Sequence, residues 1–175
     1  IGHRRKGAMH IFDSHCHLDD RCYDDDLELV IARAKQADVQ AMMVVGTDLN
    51  SAGKAVALAE KHPELWASVG IHPHDASKCS ESIISQLSLL ARHEKVRAWG
   101  ETGLDFNRMF SPQDDQEHWF IRQLEAGGAL DLPMIFHERD TQGRFLELLS
   151  NNWNPGRKGV IHCFSGDVAL ANAFV

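Results

Sequence analysis

Asp13-Ser14-His15-Cys16-His17 follows the first short apolar run of the sequence, Ile11-Phe12. Further apolar runs recur along the chain, and amphipathic stretches with helical periodicity separate them. Strands that alternate with helices in this way indicate repeated βα units and a parallel sheet. An open, doubly wound sheet would carry a glycine-rich phosphate loop after its first strand, and the quoted segment contains no glycine. The sequence therefore favours a barrel.

The number of βα units determines how much of a barrel these residues can form. Six apolar runs are predicted to be buried strands, at 11–12, 41–45, 65–71, 96–100, 133–136 and 159–161. Five amphipathic stretches are predicted to be helices, at 25–37, 51–61, 81–93, 113–130 and 141–149, and a sixth helix begins at Asp167. A closed barrel needs eight units and typically about 250 residues. We therefore expect an α/β, TIM-barrel-like fold with about six of its eight βα units, interrupted before the last two.

Length and composition favour one domain. Residues 9–175 are expected to form the incomplete (β/α)8 barrel, and residues 1–8 a flexible N-terminal extension or an added remnant. Hydrophobic residues make up 43% of the chain and charged residues 25%, which is typical of a soluble globular protein. No run approaches the roughly 18 apolar residues of a membrane span, and the four cysteines form no CxxC pair. We expect a cytoplasmic protein with no membrane contact and no obligate protein partner.

The net charge of -7 argues against a protein that coats nucleic acid through bulk electrostatics. It does not exclude an enzyme that reaches phosphates through bound cations and a few arginines, because the metal then supplies the local positive charge. The net charge therefore decides little about the function.

Metal-ligand residue types close most of the predicted strands. In a parallel barrel the catalytic groups project from the carboxyl ends of the strands. The closing residues here are His15 and His17, His72 and His74, Glu101, His137 and His162. A single interior histidine is more often a hydrogen-bonded core residue than a ligand. Because strand ends converge on one mouth, however, the set as a whole predicts a metal site.

Side-chain alternation places the first pair of histidines together. Residues two apart on a strand point the same way, so His15 and His17 should both enter the barrel mouth, and Asp13 should share their face. Glu101 is the one carboxylate among the candidate ligands, and its two oxygens could each take one cation. We therefore predict Glu101 as the catalytic, bridging residue. His74 lies beyond its strand and is a candidate for contact with substrate.

Five segments together resemble the TatD family of metal-dependent deoxyribonucleases, within the amidohydrolase-like TIM barrels. The segments are Asp13-Ser14-His15-Cys16-His17, Val69-Gly70-Ile71-His72-Pro73-His74, Gly100-Glu101-Thr102-Gly103-Leu104-Asp105-Phe106, His137-Glu138-Arg139 and His162-Cys163-Phe164-Ser165-Gly166. They occur in the family order, from about His10 to the end of the chain. Each is weak alone, and together they are specific.

The resemblance implies a role for each candidate residue. His15, His17 and Glu101 would hold one divalent metal ion, and Glu101, His137 and His162 a second. His72 and His74 would face the scissile phosphate, with Arg139 and, more weakly, Arg108 as further phosphate contacts. The resemblance implies Mg²⁺, because the family is usually described as Mg²⁺-dependent, whereas a set of mostly imidazole ligands also suits Zn²⁺ or Mn²⁺. A water activated by the two metals would hydrolyse phosphodiester bonds of DNA, as a 3′-5′ exonuclease on single-stranded ends.

One family element is absent from these residues, namely an Asp at the end of the last barrel strand that completes the first metal's shell and could act as general base. We therefore expect little activity from these residues alone. Two alternatives remain open. An amidohydrolase-type ester or amide hydrolase, such as an aminoacyl-tRNA deacylase, would keep the metal site and change the substrate. A noncatalytic fragment would retain the histidines for packing.

Overall fold

The fold is a half-barrel of six parallel strands, as the sequence predicted. The structure is a computed structural model that describes residues 10–175, so the expected N-terminal extension, residues 1–8, lies outside the described residues. The strands are β1 (Ile11–Cys16), β2 (Val39–Val45), β3 (Leu65–Val69), β4 (Val96–Asp105), β5 (Met134–Arg139) and β6 (Gly159–His162). They lie side by side in chain order, and each neighbouring pair is parallel.

A helix follows each strand. The helices are α1 (Leu27–Gln36), α2 (Leu49–Lys61), α3 (Glu81–Leu90), α4 (Gln113–Ala129), α5 (Arg144–Asn152) and α6 (Val168–Ala173), and short 3-10 helices lie at Arg21–Tyr23 and Pro73–Lys78. Side-chain caps fix several starts. Asp48 accepts the N–H of Ser51 at α2, and Ser80 accepts that of Ile83 at α3. Within residues 10–175, no helix has the length and hydropathy needed to cross a bilayer.

Apolar side chains cover both faces of the curled sheet. The large cluster lies between the sheet and the helices, and its fully buried members include Val44, Trp99, Phe120, Phe136 and Phe145. A small separate cluster on the other face consists of Met43, Val45, Ala98 and Ile135, with Trp66 against it. Strands β2 to β5 are largely buried and therefore read as apolar runs in the sequence, whereas β1 and β6, which the sequence also predicted to be buried, are exposed or half-buried.

Strand β4 is longer than the sequence predicted. The apolar pattern predicted a strand that closes at Glu101, whereas β4 continues to Asp105 and is buried throughout its second half. Its register against β5 shifts between Trp99 and Thr102. Beyond the shift, Gly103 adopts a φ of +147°, and a Cβ at that position would collide with the carbonyl oxygen of His137. Glycine therefore allows β4 to lie close against β5 at the carboxyl end of the sheet.

A register irregularity in β1 breaks the alternation that the sequence argument assumed. Asp13 pairs with Met42 and Cys16 pairs with Val44, so β1 contains one residue more than β2 over this stretch. One extra residue in one of two paired strands is a β-bulge. The carboxylate of Asp13 accepts the backbone N–H of His15 at 3.1 Å. The hydrogen bond that Asp13 makes is therefore to the backbone at the bulge and not to an imidazole ring. A bulge also changes the direction of the side chains that follow it.

Candidate metal centre

Glu101 lies at the centre of a group of histidines that come from four other strand ends. Its side chain is 2% exposed. Oε1 lies 2.7 Å from Nδ1 of His137, and Oε2 lies 3.2 Å from Nε2 of His15. Nε2 of His72 and Nε2 of His162 lie 3.6 and 3.9 Å from Oε1. The structure thus brings residues separated by up to 147 positions to one rim, as expected at the carboxyl ends of parallel strands.

The Glu101 carboxylate is ionised. Burial alone would raise its pKa, but the contacts with His137 and His15 lower it by more, so the pKa lies well below the usual range of a glutamate. Its backbone is fixed as well, because the N–H of Glu101 donates to the carbonyl oxygen of Gly46 at 3.0 Å. A buried anion held among ring nitrogens is suited to bind a cation.

His17 presents a free ring nitrogen to the same group. Its Nδ1 lies 3.1 Å from the carbonyl oxygen of Val45, and a carbonyl can only accept, so Nδ1 carries the proton. The lone pair is then on Nε2, which is the tautomer that a ligand histidine needs. One ligand atom from each of His15, His17 and Glu101 lies within 4.8 Å of the other two.

His15 provides the local evidence that these residues fit a cation. Its Nε2 is buried and has no hydrogen-bond partner of acceptable geometry within the described residues, despite its 3.2 Å distance from Glu101. A buried polar atom without a partner costs about 1–3 kcal/mol. A bound cation would remove that cost by taking the lone pair, and two imidazoles with one carboxylate suit a divalent ion of borderline softness.

His137 and His162 form a second possible ligand group beside the first. One ligand atom from each of His137, His162 and Cys163 lies within 4.8 Å of the other two, and His137 also groups with Glu101 and His72. The His162 ring stacks on that of His15 with centroids 3.9 Å apart. Burial lowers the pKa of His162, and the neighbouring His15 lowers it further. The His162 ring therefore favours the neutral form that binds metals.

His72 lies inside this group rather than beside it. The backbone N–H of His74 donates to Nδ1 of His72 at 3.1 Å, so the ring proton resides on Nε2, which points at Nδ1 of His137 at 3.1 Å. Burial lowers the pKa of His72 to about 3, although the Glu101 carboxylate opposes the shift. His72 is therefore a neutral, buried hydrogen-bond donor at neutral pH.

Asp105 is a central residue that the sequence analysis did not select. Its side chain is fully buried, and Oδ2 lies 2.8 Å from Nε2 of His74 and 3.2 Å from Nε2 of His137. Burial raises its pKa, but the N–H of Arg108 and the ring of His74 lower it by more, so the pKa is below that of an ordinary aspartate. Residues 101 and 105 share a face of an extended strand, so alternation would have found Asp105 had β4 been predicted at its full length.

Two buried glutamines of α4 hold the backbone beneath these side chains. Gln116 accepts the N–H of Asp105 at 2.8 Å and donates to the carbonyl oxygens of Asp105 and Ser111. Gln123 accepts the N–H of Ile71 at 2.7 Å and donates to its carbonyl at 3.0 Å. Each glutamine therefore replaces the hydrogen bonds that a strand loses where it leaves the sheet. The composition of α4 gave no signal for these roles.

The two candidate phosphate arginines lie at the same end of the sheet. Arg139 ends β5 and is half-buried, two residues beyond His137 on the same strand, and Arg108 is exposed in the loop after β4. Within residues 10–175, no ion pair joins either guanidinium to a carboxylate. Both charges are therefore available at the rim.

Family comparison matches nearly the whole described chain. A model of the family described as TatD related DNase matches residues 12–175. A Cronobacter turicensis protein named 3′-5′ ssDNA/RNA exonuclease TatD is 40% identical over 156 residues, which cover 89% of this chain and 59% of that protein. The Bacillus subtilis protein YabD, described as an uncharacterized metal-dependent hydrolase, is 37% identical over 161 residues, with 92% and 63% covered. The chain thus spans about 60% of the length of the curated relatives that it matches.

Solved structures support the same relationship. The TatD homologue YjjV of Escherichia coli K12 superposes with a TM-score of 0.83 at 35% identity, over 94% of this chain and 64% of that one. A TatD family hydrolase of Entamoeba histolytica superposes with a TM-score of 0.86 at 26% identity, over 95% and 63%. The half-barrel described above corresponds to that part of both folds.

Proposed function

Because this chain belongs to the TatD-related DNase family, we propose that the protein hydrolyses phosphodiester bonds of DNA as a metal-dependent 3′-5′ exonuclease on single-stranded ends. The observation that carries the proposal is the buried, ionised carboxylate of Glu101, which lies 2.7 Å from His137 and 3.2 Å from His15 at one rim. A carboxylate surrounded by ring nitrogens at a strand-end rim suits a metal-dependent hydrolase.

The ligand assignment follows the two groups of side chains. His15, His17 and Glu101 hold one divalent cation, and Glu101, His137 and His162 hold a second. The unpartnered Nε2 of His15 supports the first site, and the 3.9 Å approach of His162 to Glu101 supports the second. Mg²⁺ is the proposed ion, and Zn²⁺ or Mn²⁺ are the alternatives that the imidazole content favours.

Bound divalent cations would supply an activated water and positive charge at the reacting phosphorus. The protein's own groups position the substrate around them. His74, 28% exposed and held at Nε2 by Asp105, faces the phosphate, and the guanidinium groups of Arg139 and Arg108 bind phosphate oxygens. His72 is neutral, and its Nε2 lies 3.1 Å from Nδ1 of His137 and 3.6 Å from Oε1 of Glu101, so its ring fills the side of the centre next to both.

Glu101 acts as a ligand rather than as the general base in this proposal. Its lowered pKa makes it a weak base, and both of its oxygens lie against ring nitrogens. Its role is therefore to bridge the two cations. The family's strand-terminal Asp, which these residues lack, is the group expected to take the proton from water.

A substrate panel tests this function against its rival, hydrolysis of an acyl ester such as the aminoacyl group on a tRNA end. End-labelled single-stranded DNA, duplex DNA, RNA and acyl-tRNA are each incubated with Mg²⁺, Mn²⁺ or Zn²⁺. Slow stepwise release of 3′ nucleotides from single-stranded DNA, abolished by Glu101→Gln, is the expected result, because the strand-terminal Asp is lacking. Release of the acyl group with DNA left intact would favour the rival. A wild type that binds no stoichiometric metal and hydrolyses none of the substrates would favour a noncatalytic chain.

The proposed setting is the cytoplasm. All four cysteines are free, which suits a reducing compartment. A nucleic acid end is the one partner that the site requires.

A further inference from the structure

Phe110 is an exposed aromatic residue next to the candidate metal centre. It lies in the loop between β4 and α4 and is 63% exposed. Its ring contacts the ring of His74 in an edge-to-face arrangement, with centroids 4.7 Å apart and an interplanar angle of 73°. His74 in turn reaches Asp105 at 2.8 Å. A large apolar ring thus stands in solvent beside the residue that we assign to the scissile phosphate.

The loop that carries Phe110 is fixed at both ends. At its start, Oδ1 of Asp105 accepts the backbone N–H groups of Asn107 and Arg108 at 3.0 and 2.8 Å. At its end, Ser111 is fully buried and donates through Oγ to the carbonyl oxygen of His74 at 2.8 Å. The same Oγ accepts the N–H of Ser77 at 3.0 Å. The exposure of Phe110 is therefore built into a constrained loop, so little entropy is lost when a ligand packs against the ring.

We propose that Phe110 is the stacking platform for the nucleobase of the nucleotide whose phosphate lies against His74. The inference rests on the proposed nuclease function and adds that the rim recognises an unpaired nucleobase at the end of the substrate. Every base has a π-face, so an aromatic ring binds bases with little sequence preference. A base inside a duplex has its faces covered by neighbouring pairs. Phe110 therefore selects an unpaired end without selecting its sequence.

A binding experiment with a terminal abasic site tests the proposal. Two oligonucleotides are compared, one with a normal 3′ nucleotide and one with an abasic 3′ residue, each with a terminal phosphonate linkage that cannot be hydrolysed. Binding with Mn²⁺ present is measured by fluorescence anisotropy for the wild type, Phe110→Leu and Phe110→Trp. Leucine keeps an apolar contact with His74 and removes the π-face, whereas tryptophan restores it. Phe12→Leu is the matched control, because Phe12 is 53% exposed near the start of β1, at the opposite end of the sheet.

The expected result is a loss of roughly 5- to 100-fold in affinity for the normal oligonucleotide in Phe110→Leu. Affinity for the abasic oligonucleotide is expected to be equal in the two proteins, and Phe110→Trp is expected to bind like the wild type. An unchanged affinity in Phe110→Leu, or an equal loss for both oligonucleotides, would overturn the stacking role. If the wild type binds neither oligonucleotide, both the proposed nuclease function and the stacking role of Phe110 are contradicted.

Discussion

Asp105 holds the ring of His137 from the side opposite Glu101: its Oδ2 lies 3.2 Å from Nε2, while Oε1 of Glu101 lies 2.7 Å from Nδ1. One imidazole thus lies between two buried carboxylates of the same strand, with Nε2 toward Asp105 and Nδ1, the nitrogen that would take a cation, toward Glu101. The same Asp105 oxygen lies 2.8 Å from His74, so it also orients the ring next to the proposed phosphate position. A carboxylate that orients a ligand histidine raises the basicity of its ring and fixes its tautomer.

Asp105→Asn is expected to reduce nuclease activity by roughly 10- to 100-fold, since outer carboxylates of ligand histidines contribute on that scale. Metal stoichiometry is expected to change less than activity, because the five proposed ligands remain. Metal analysis and kcat/KM on the same preparation separate the two effects. Asp114→Asn, an acidic residue in the first turn of α4, is the control that should leave both unchanged. Wild-type activity in Asp105→Asn would remove Asp105 from the site.

Glu101→Gln is expected to remove both cations, because Glu101 is the residue shared by the two proposed sites. The amide keeps the shape of the side chain and loses the charge that attracts a divalent ion. Metal per chain is measured by mass spectrometry after dialysis, and the exposed Glu147→Gln serves as control. Retention of one ion per chain in Glu101→Gln would mean that Glu101 does not bridge, and retention of both would exclude it as a ligand.

Gln123→Leu is expected to destabilise the fold by about 1–3 kcal/mol, since it leaves buried backbone groups without partners. The groups are the N–H and carbonyl of Ile71, and the indole N–H of Trp99 also loses its acceptor, 3.2 Å away. Chemical denaturation measures the loss, and the exposed Gln86→Leu on α3 is the control. Equal stability of the two variants would show that the hydrogen bonds of Gln123 contribute nothing to the stability of the fold.

The ion pair between Glu117 and Arg144 predicts a pH-dependent effect on stability. Arg144 donates to both carboxylate oxygens of Glu117, at 2.9 and 2.5 Å, and these bonds lower the pKa of Glu117 below 4.5. A carboxyl group with a lowered folded-state pKa stabilises the protein above its unfolded pKa, and the contribution is lost as the pH falls through the folded value. Glu117→Gln should therefore lower the thermal midpoint at pH 7, and the difference should shrink below pH 4.5. A difference independent of pH would exclude a charge effect.

Removal of metal is expected to lower the stability of the loaded protein. A ligand that binds only the folded state stabilises it by mass action, by about 2.7 kcal/mol at one hundred times its dissociation constant. Thermal unfolding with EDTA and with increasing Mn²⁺ measures the shift, and Glu101→Gln should show none. A midpoint that Mn²⁺ leaves unchanged in the wild type would contradict cation binding in the folded state.

The six strands and the candidate ligands could be predicted because each strand contains a short apolar run that a polar residue follows. Buried strands such as Ala41-Met42-Met43-Val44-Val45 have no polar face to confuse the pattern. Asp105 was missed for a physical reason. Gly103 interrupts the strand pattern after Thr102, yet the close packing of Gly103 against His137 requires a residue without a side chain.

Local backbone geometry and helix-borne polar contacts were also invisible in the sequence. The bulge in β1 depends on how β1 and β2 pair, so alternation alone did not show that the Asp13 carboxylate would accept the backbone N–H of His15. Gln116 and Gln123 read as ordinary helix residues, because nothing in their own segment shows which backbone groups they will meet. Long-range contacts of this kind follow only from the assembled sheet.

Anomalous diffraction from crystals grown with Zn²⁺ and measured at the zinc absorption edge tests the central claim most directly. The account predicts a peak about 2.0–2.2 Å from a ring nitrogen of His15, a ring nitrogen of His17 and an oxygen of Glu101. A second peak is predicted beside His137 and His162. A map with no peak at this rim, although zinc is present in the crystal, would contradict the account.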